Sequence, residues 1–362
     1  MKIKTITCHD VYNVGASLQA YALQTYLAQQ GHDVEIIDYK PSYLSRHYSL
    51  TAVNNPRYDR PLIREAYLLA KLPGRLRALC SARKRSFDRF REEMLHVTSK
   101  RYTSSEEMKR DLPEADVYIA GSDQIWNPLF PNGKDPAFFL AFVPEEKKKI
   151  SYAASFAVDE LEQVDSERMM PWIKRLDAVS VRERSGVALL AQMGVGGVQV
   201  CDPVFLLSQE QWSSLIAPQE SGILVYDFDA SEQVCRMAEA LASERHAQIV
   251  SVFPMKNADR VCSGMGPREF LGAISSADMV LSNSFHATAF SLIFHKEFFV
   301  VERREKINTR MRDLLAGVGL EDRLVRTAED MDAAASIDWA DVDVRLRFII
   351  AKSYRWLNEQ LR

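Results

Sequence analysis

Short apolar or alternating runs recur along the chain, separated by amphipathic stretches, and most of the runs stop at a polar cluster. In the first half, Ile3–Thr7, Val34–Ile37, Asp116–Ala120 and Lys149–Ala153 read as strands. In the second half the strands are Ala178–Val181, Val198–Cys201, Ile223–Tyr226, Gln248–Phe253, Met279–Leu281 and Phe298–Val301. Helical spacing fills Ser17–Gln30, closed by Gly31, and then Glu232–Arg245, Pro267–Ser275, Ala287–His295 and a final Asp343–Leu361. Buried strands alternating with helices are the pattern of parallel α/β sheets. The expected organisation is two α/β halves facing across a cleft and tied by a C-terminal helix. Charged residues 159–169 lead out of the first half, which gives domains at 1–165 and 166–342 and a helix at 343–362.

The polar breaks between strand and helix are where a parallel sheet holds ligands, beside free helix N–H groups. One break is Asn283-Ser284-Phe285-His286. A pair of helix caps with a satisfied half-buried histidine is the competing reading. A second is Asn13 to Gln19, where Gly15 permits a sharp turn able to hold a phosphate or sugar hydroxyls, although neither GxGxxG nor GK[ST] is present. A third, Gly121 to Asn127, sets Asp123, Gln124 and Asn127 beside Trp126, with Ser122 or Asp123 able to cap a helix. That is a hydroxyl-binding set with an apolar platform for a sugar ring, or else a capped helix start. At the fourth, Arg182 ends a buried strand, where a guanidinium meets a phosphate or carboxylate, from a ligand or from Glu183 or Asp202. Asn308 to Arg312 opens a helix after the last core strand, from which Arg310 can reach toward His286 while Arg312 stays solvated.

Bulk properties narrow the classes. At 362 residues, 47% hydrophobic and 26% charged, the chain has a large core and room for two domains of about 150 residues. No apolar run approaches the roughly 20 residues that span a bilayer, and MKIKTITCHD lacks a signal-peptide core. Five scattered cysteines without CxxC, and seven histidines without HxH or HExxH, speak against a disulfide framework and a metal site and for a reducing cytoplasm. There is no GxSxG elbow. A net charge of −3 does not point to nucleic acid. Residues 56–110 read as helical and amphipathic, with fifteen Lys/Arg against seven Asp/Glu. Either that face is solvated or it makes a peripheral contact with anionic headgroups at the inner membrane face.

Taken in order, NVGASLQAYAL, GSDQIWNP, SYAASF, SVRE, CDPVFLL, NSFHATAFSLIF and NTRMRDLL with GLEDR resemble the polysaccharide pyruvyl transferase family from about Lys2 to Arg323. The resemblance implies two Rossmann-like domains in a GT-B-like arrangement. It also implies transfer of pyruvate from phosphoenolpyruvate (PEP) onto a sugar as a cyclic ketal, with no metal and no cofactor beyond PEP as donor substrate. The donor carries a phosphate and a carboxylate, for which Arg182, Arg310 and the helix start at Ala287 are suited, with Asn283, Ser284 and Asn308 alongside. His286, titrating near neutrality, is the expected general acid/base, and Arg182 its catalytic partner. The PEP side is then the C-terminal half. The acceptor side is the N-terminal half, through Asn13, Gly15, Gln19, Ser122, Asp123, Gln124 and Trp126. The acceptor would be a sugar of a capsule, exopolysaccharide or cell-wall glycan precursor; with a lipid-linked acceptor, the basic segment would dock at the membrane surface. Some members carry Arg-Leu-His where this chain has Ser284-Phe285-His286, so Arg310 is expected to take over the missing anion contact. Relatives with Ser-Phe-His usually follow it with Gly, here Ala287. A nucleotide-sugar glycosyltransferase on the same fold and a catalytically silent glycan-binding protein are the alternatives.

Overall fold

Strand β1 (Lys2–Ile6) leads through a turn into α1 (Val14–Gln29), and the return strand β2 (Asp33–Tyr39) pairs parallel to β1. Gly31 follows the helix at φ +83°, a left-handed position that favours glycine. The computed structural model describes residues 1–44, 48–51, 53, 56–58, 60, 63–303 and 308–362. The basic stretch, of which residues 52, 54–55, 59 and 61–62 in and around it lie outside the described residues, is not helical throughout. It forms α2 (Ile63–Leu79), α3 (Ala82–Met94), strand β3 (Val97–Tyr102) and α4 (Ser105–Arg110). In β3 only Thr98 and Tyr102 are buried while Ser99, Lys100 and Arg101 are exposed, so the strand tolerates its charges by pairing with β2 at the sheet edge. No residue of α2 is buried, and Leu69 is 69% exposed.

Next come β4 (Val117–Ala120) and β5 (Lys148–Ser151), and the first sheet reads β3-β2-β1-β4-β5. Every residue of β4 is buried, as an apolar run covered on both faces requires. The polar stretch expected to leave this half instead enters α5 (Gln163–Ile173), which brings β6 (Ser180–Val181) beside the first sheet, bridged at Ile150 and Ala154. Asp177 N donates to Lys149 O at 2.8 Å, Ser151 N to Ala178 O at 3.1 Å and Arg182 N to Ala154 O at 3.1 Å. After α6 (Arg184–Gln192), β7 (Val198–Gln199) pairs parallel to β6. Strand pairing therefore does not break at 165/166. Arg182 and Asp202 follow β6 and β7, a two-stranded ladder bridged to the end of β5, whereas the sequence reading puts both beyond the 165/166 boundary.

A short helix α7 (Gln209–Ser213) precedes the second sheet. Its elements are β8 (Ile223–Tyr226), α8 (Glu232–Arg245), β9 (Ile249–Ser251), β10 (Arg260–Val261), α9 (Pro267–Ser276), β11 (Met279–Ser282), α10 (Phe285–Ile293) and β12 (Phe298–Val301). The chain then closes with α11 (Thr309–Val318), β13 (Leu324–Val325), α12 (Ala328–Ala333) and α13 (Trp339–Gln360). The order is β10-β9-β8-β11-β12-β13, parallel throughout.

The largest apolar cluster runs through the junction of the halves and joins Leu18, Leu23 and Leu27 of α1 to Phe270 of α9 and Phe290 of α10. All nine residues of α10 are buried, which is what a helix apolar around its circumference demands. Helix α13 ties the halves. Tyr26 donates to Asn358 Oδ1 at 3.2 Å, Cys201 N to Ser353 Oγ at 2.8 Å and Tyr354 to Leu206 O at 3.0 Å. Among the described residues no helix is long and apolar enough to cross a membrane.

Candidate active site

The turn between β11 and α10 is fixed by its own polar residues. Ser284 Oγ caps α10 by accepting from Ala287 N at 3.4 Å. Asn283 Oδ1 accepts from Phe228 N at 3.0 Å and its Nδ2 donates to Asp227 Oδ1 at 2.5 Å, which fastens the loop to the end of β8. These two side chains, expected on the donor, are engaged by the protein. What they achieve is to aim His286, in the first turn of α10, across the junction at the N-terminal half. There a Cβ on Gly15 would stand 1.9 Å from His286 Nδ1, so glycine is required by close approach. Gly15→Ala should displace the ring, lowering kcat by about 10²-fold and stability by about 1–3 kcal/mol. Steady-state kinetics and thermal unfolding check this, and unchanged values for both would contradict the contact.

From the ends of β6 and β4, Arg182 Nη1 donates to Asp202 Oδ2 at 2.6 Å, and Ser122 Oγ donates to the same oxygen at 3.2 Å. His286 Nε2 lies 3.8 Å from that oxygen. Asp202 Oδ1 accepts from Val204 N at 3.0 Å. Glu183 Oε1 accepts from Ser155 Oγ at 3.0 Å and Ala157 N at 2.9 Å. Both guanidinium groups flank Phe285, with Arg182 Cζ 4.4 Å and Arg310 Cζ 5.9 Å from the ring centroid. Thus the structure brings His286, Arg182 and Arg310 together, and it adds Asp202, Glu183 and Phe285, which sequence reasoning had not made site residues. The signal was there in Asp202, a carboxylate at the exit of a buried strand.

Several polar atoms here are buried with no hydrogen-bond partner among the described residues: Nε and Nη2 of Arg182, Nε of Arg310, Nε2 of His286 and Oε2 of Glu183. Leaving such groups unpaired costs about 1–3 kcal/mol each, and more when charged. Four of the five are on potentially cationic side chains, the complement of an anion. The electrostatics agree. Burial, with Arg182 and Arg310 adding to it against the pull of Asp202, pushes the His286 ring down to about 4. Burial and the neighbouring Arg182 lower Arg310 to about 10. Burial works to raise the Asp202 carboxyl, but Arg182 and His286 outweigh it and hold it below the usual range. Glu183 goes up, by burial against the pull of Arg182. The ring is therefore neutral in the resting protein, which corrects the expectation of titration near neutrality: burial removes the water that would solvate an imidazolium. The cluster is also closed, with side-chain exposures of 3% for Arg182 and 8% for His286.

The residues expected on the acceptor side divide. Gly15 and Ser122 belong to the cluster. Asp123 borders it in a left-handed backbone conformation, φ 74°, half-buried, with Oδ1 accepting from Gln124 N at 2.8 Å. Asn13 is exposed and caps α1, accepting from Gly15 N at 3.0 Å and Ala16 N at 3.2 Å. Gln19 is buried, its amide donating to Thr7 Oγ1 at 2.9 Å and Ala16 O at 3.0 Å. Gln124 Oε1 accepts from Asn127 Nδ2 at 2.7 Å. Trp126 is no sugar platform. It is fully buried, stacked on Phe139 at 5.3 Å with its Nε1 donating to Phe138 O at 3.0 Å. Asn308, expected on the donor, clasps Arg303 instead, accepting from its N and donating to its O, both at 2.9 Å. Arg312 pairs with Asp159 at 2.6 Å.

Comparison with solved structures places this architecture. A putative UDP-N-acetylglucosamine 2-epimerase from Listeria monocytogenes matches with TM-score 0.55 at 10% identity, covering 97% of this chain and 90% of that one. The UDP-GlcNAc 2-epimerase from Neisseria meningitidis, solved bound to UDP-GlcNAc, matches with TM-score 0.51 at 10% identity, over 100% of this chain and 99% of that one. At such identity the likeness shows the fold alone: two Rossmann-like halves across a cleft in the GT-B arrangement. None of the curated proteins matches the chain. The family model described as polysaccharide pyruvyl transferase matches residues 13–305, a span that includes Gly15, Ser122, Arg182, Asp202 and His286 and stops short of Arg310.

Proposed function

Since the chain belongs to the polysaccharide pyruvyl transferase family, we propose that its buried cluster moves pyruvate from PEP onto two hydroxyls of one sugar as a cyclic ketal. The observation that carries the reading is the set of buried nitrogens on Arg182, Arg310 and His286, without partners among the described residues, in one cluster. A phosphate and a carboxylate on three carbons would pair with them.

The reaction balances without a further reactant. Two C–O bonds form at C2 of PEP, the C2–O bond to phosphate breaks, and inorganic phosphate leaves. Of the two hydroxyl protons released, one goes to the methylene carbon, which becomes a methyl group, and the other leaves with phosphate. Because the resting imidazole is neutral, His286 acts first as base, taking the proton of the attacking hydroxyl, and then delivers it to the methylene carbon. Asp202 stabilises the transient imidazolium across 3.8 Å. Arg182 and Arg310 hold the phosphate as its charge grows. Asp123, on the N-terminal side, orients the sugar hydroxyls. Mixing the protein with PEP and candidate glycans should yield a product heavier by about 70 Da, pyruvate joined with loss of water, and one phosphate per ketal. Consumption of a nucleotide sugar with no use of PEP would overturn the reading.

A further inference from the structure

A cavity of about 390 Å³ opens beside the cluster, within the roughly 300–1,000 Å³ of small-molecule sites. Arg182, Phe285 and Arg310 line its inner end. Both arginines are more than nine-tenths buried, and each has a nitrogen without a partner among the described residues. The outer wall is the C-terminal helix α13, which contributes Phe348, 74% exposed, and Lys352. Arg184, exposed at the start of α6, also lines the cavity. The lining thus holds four cations, Arg182, Arg184, Arg310 and Lys352, against two carboxylates, Asp202 and Asp313. Asp202 is already paired with Arg182, and Asp313 accepts from Ser185 N at 3.2 Å. His286, Gly15 and Asp123 are not on this wall among the described residues.

Resting on the pyruvyl-transfer reading, we propose that this cavity is the phosphate port of the site. PEP enters and phosphate leaves beneath α13, guided by Lys352 and Arg184, while the sugar comes to His286 from the Gly15 and Asp123 side. Separate routes fit the chemistry, because an acceptor in place would otherwise block the exit of the phosphate that must leave before the second C–O bond closes. Two exposed cations at the mouth of a positive cavity raise the local concentration of an anion and act mainly on its arrival.

The test compares Lys352→Glu and Arg184→Glu with Arg347→Glu. Arg347 is exposed on the same helix, makes the same change in net charge, and lies about 140° around from Lys352. The port predicts that KM for PEP rises about fivefold or more in the first two, with a shallower salt dependence, while KM for the acceptor stays put and Arg347→Glu behaves as wild type. Inorganic phosphate binding, followed by calorimetry, should weaken in parallel. Equal shifts in all three variants, or none, overturn the port while leaving pyruvyl transfer in place. Should the wild type neither bind nor use PEP, yet bind phosphate in a Lys352-dependent way, the pyruvyl-transfer reading falls and the cavity stands as an anion site. Loss of phosphate binding as well sinks both.

Discussion

His286→Gln is expected to lower kcat by about three orders of magnitude, the range for loss of a positioned acid/base group, while PEP still binds at Arg182 and Arg310. The substitution has a second consequence, independent of catalysis. The ring is held at about 4 in the folded protein against 6.5 for an unperturbed histidine. Above pH 6.5 it is neutral in both folded and unfolded chains and contributes nothing to the pH dependence. Between 6.5 and 4 the unfolded chain takes up a proton that the folded one refuses, so stability falls as pH falls through this window. The full penalty, below the folded value, is about 3 kcal/mol. Glutamine cannot titrate, so this contribution vanishes. Urea unfolding at pH 7.5 and pH 4.5 should show the wild type losing about 2–3 kcal/mol more than His286→Gln between the two conditions. Equal losses would mean that the ring is not held neutral by burial. A variant of unchanged kcat would remove it from the chemistry.

The parts of this molecule that were legible in the sequence are those where burial dictates residue type. Val117–Ala120, Ile223–Tyr226, Met279–Ser282 and Phe298–Val301 are covered on both faces, so they read as continuous apolar runs, and their order gives the two parallel sheets. The break at His286 was legible for the same reason: a polar cluster between such a run and an apolar helix has to be at a strand end. What spacing does not encode is which partner a polar side chain takes. Asn283, Ser284 and Asn308 look like ligand-binding residues in a turn, and each is engaged by nearby backbone or side chain. Trp126 lies in a polar motif, yet its indole turns into the core. Strand β6 has two residues, and its place beside the first sheet depends on hydrogen bonds to the end of β5 that only the tertiary structure supplies. The neutral state of His286 was hidden likewise, since it follows from burial and from Arg182, 104 positions earlier in the chain.

Asp202→Asn should destabilise the fold by about 3–5 kcal/mol, the cost of stranding one partner of a buried ion pair. Side-chain exposure of Arg182 and Asp202 is 3% and 0%, so water cannot take over from the lost carboxylate. Asn has the shape of Asp but presents an amide where Oδ2 accepted from Arg182 and Ser122. The guanidinium, already carrying two nitrogens without partners among the described residues, is left with no described counter-charge closer than Glu183 Oε2, 3.9 Å from its Nε. If the crevice is an anion site, an added anion should make good part of the loss. Phosphate binding only the folded form stabilises it by about 2.7 kcal/mol at one hundred times Kd, and the variant, freed of a competing carboxylate, should bind it more tightly than wild type. Thermal unfolding with and without millimolar phosphate or PEP should therefore show a larger upward shift for Asp202→Asn than for the unaltered protein. A shift confined to wild type would make Asp202 part of the anion's binding surface instead of its competitor, and no shift in either would leave Arg182 a structural cation. Turnover should move the opposite way to affinity. In the proposed mechanism the imidazolium of His286 would lose its partner at 3.8 Å, so the substitution that favours the anion should slow the step that consumes it.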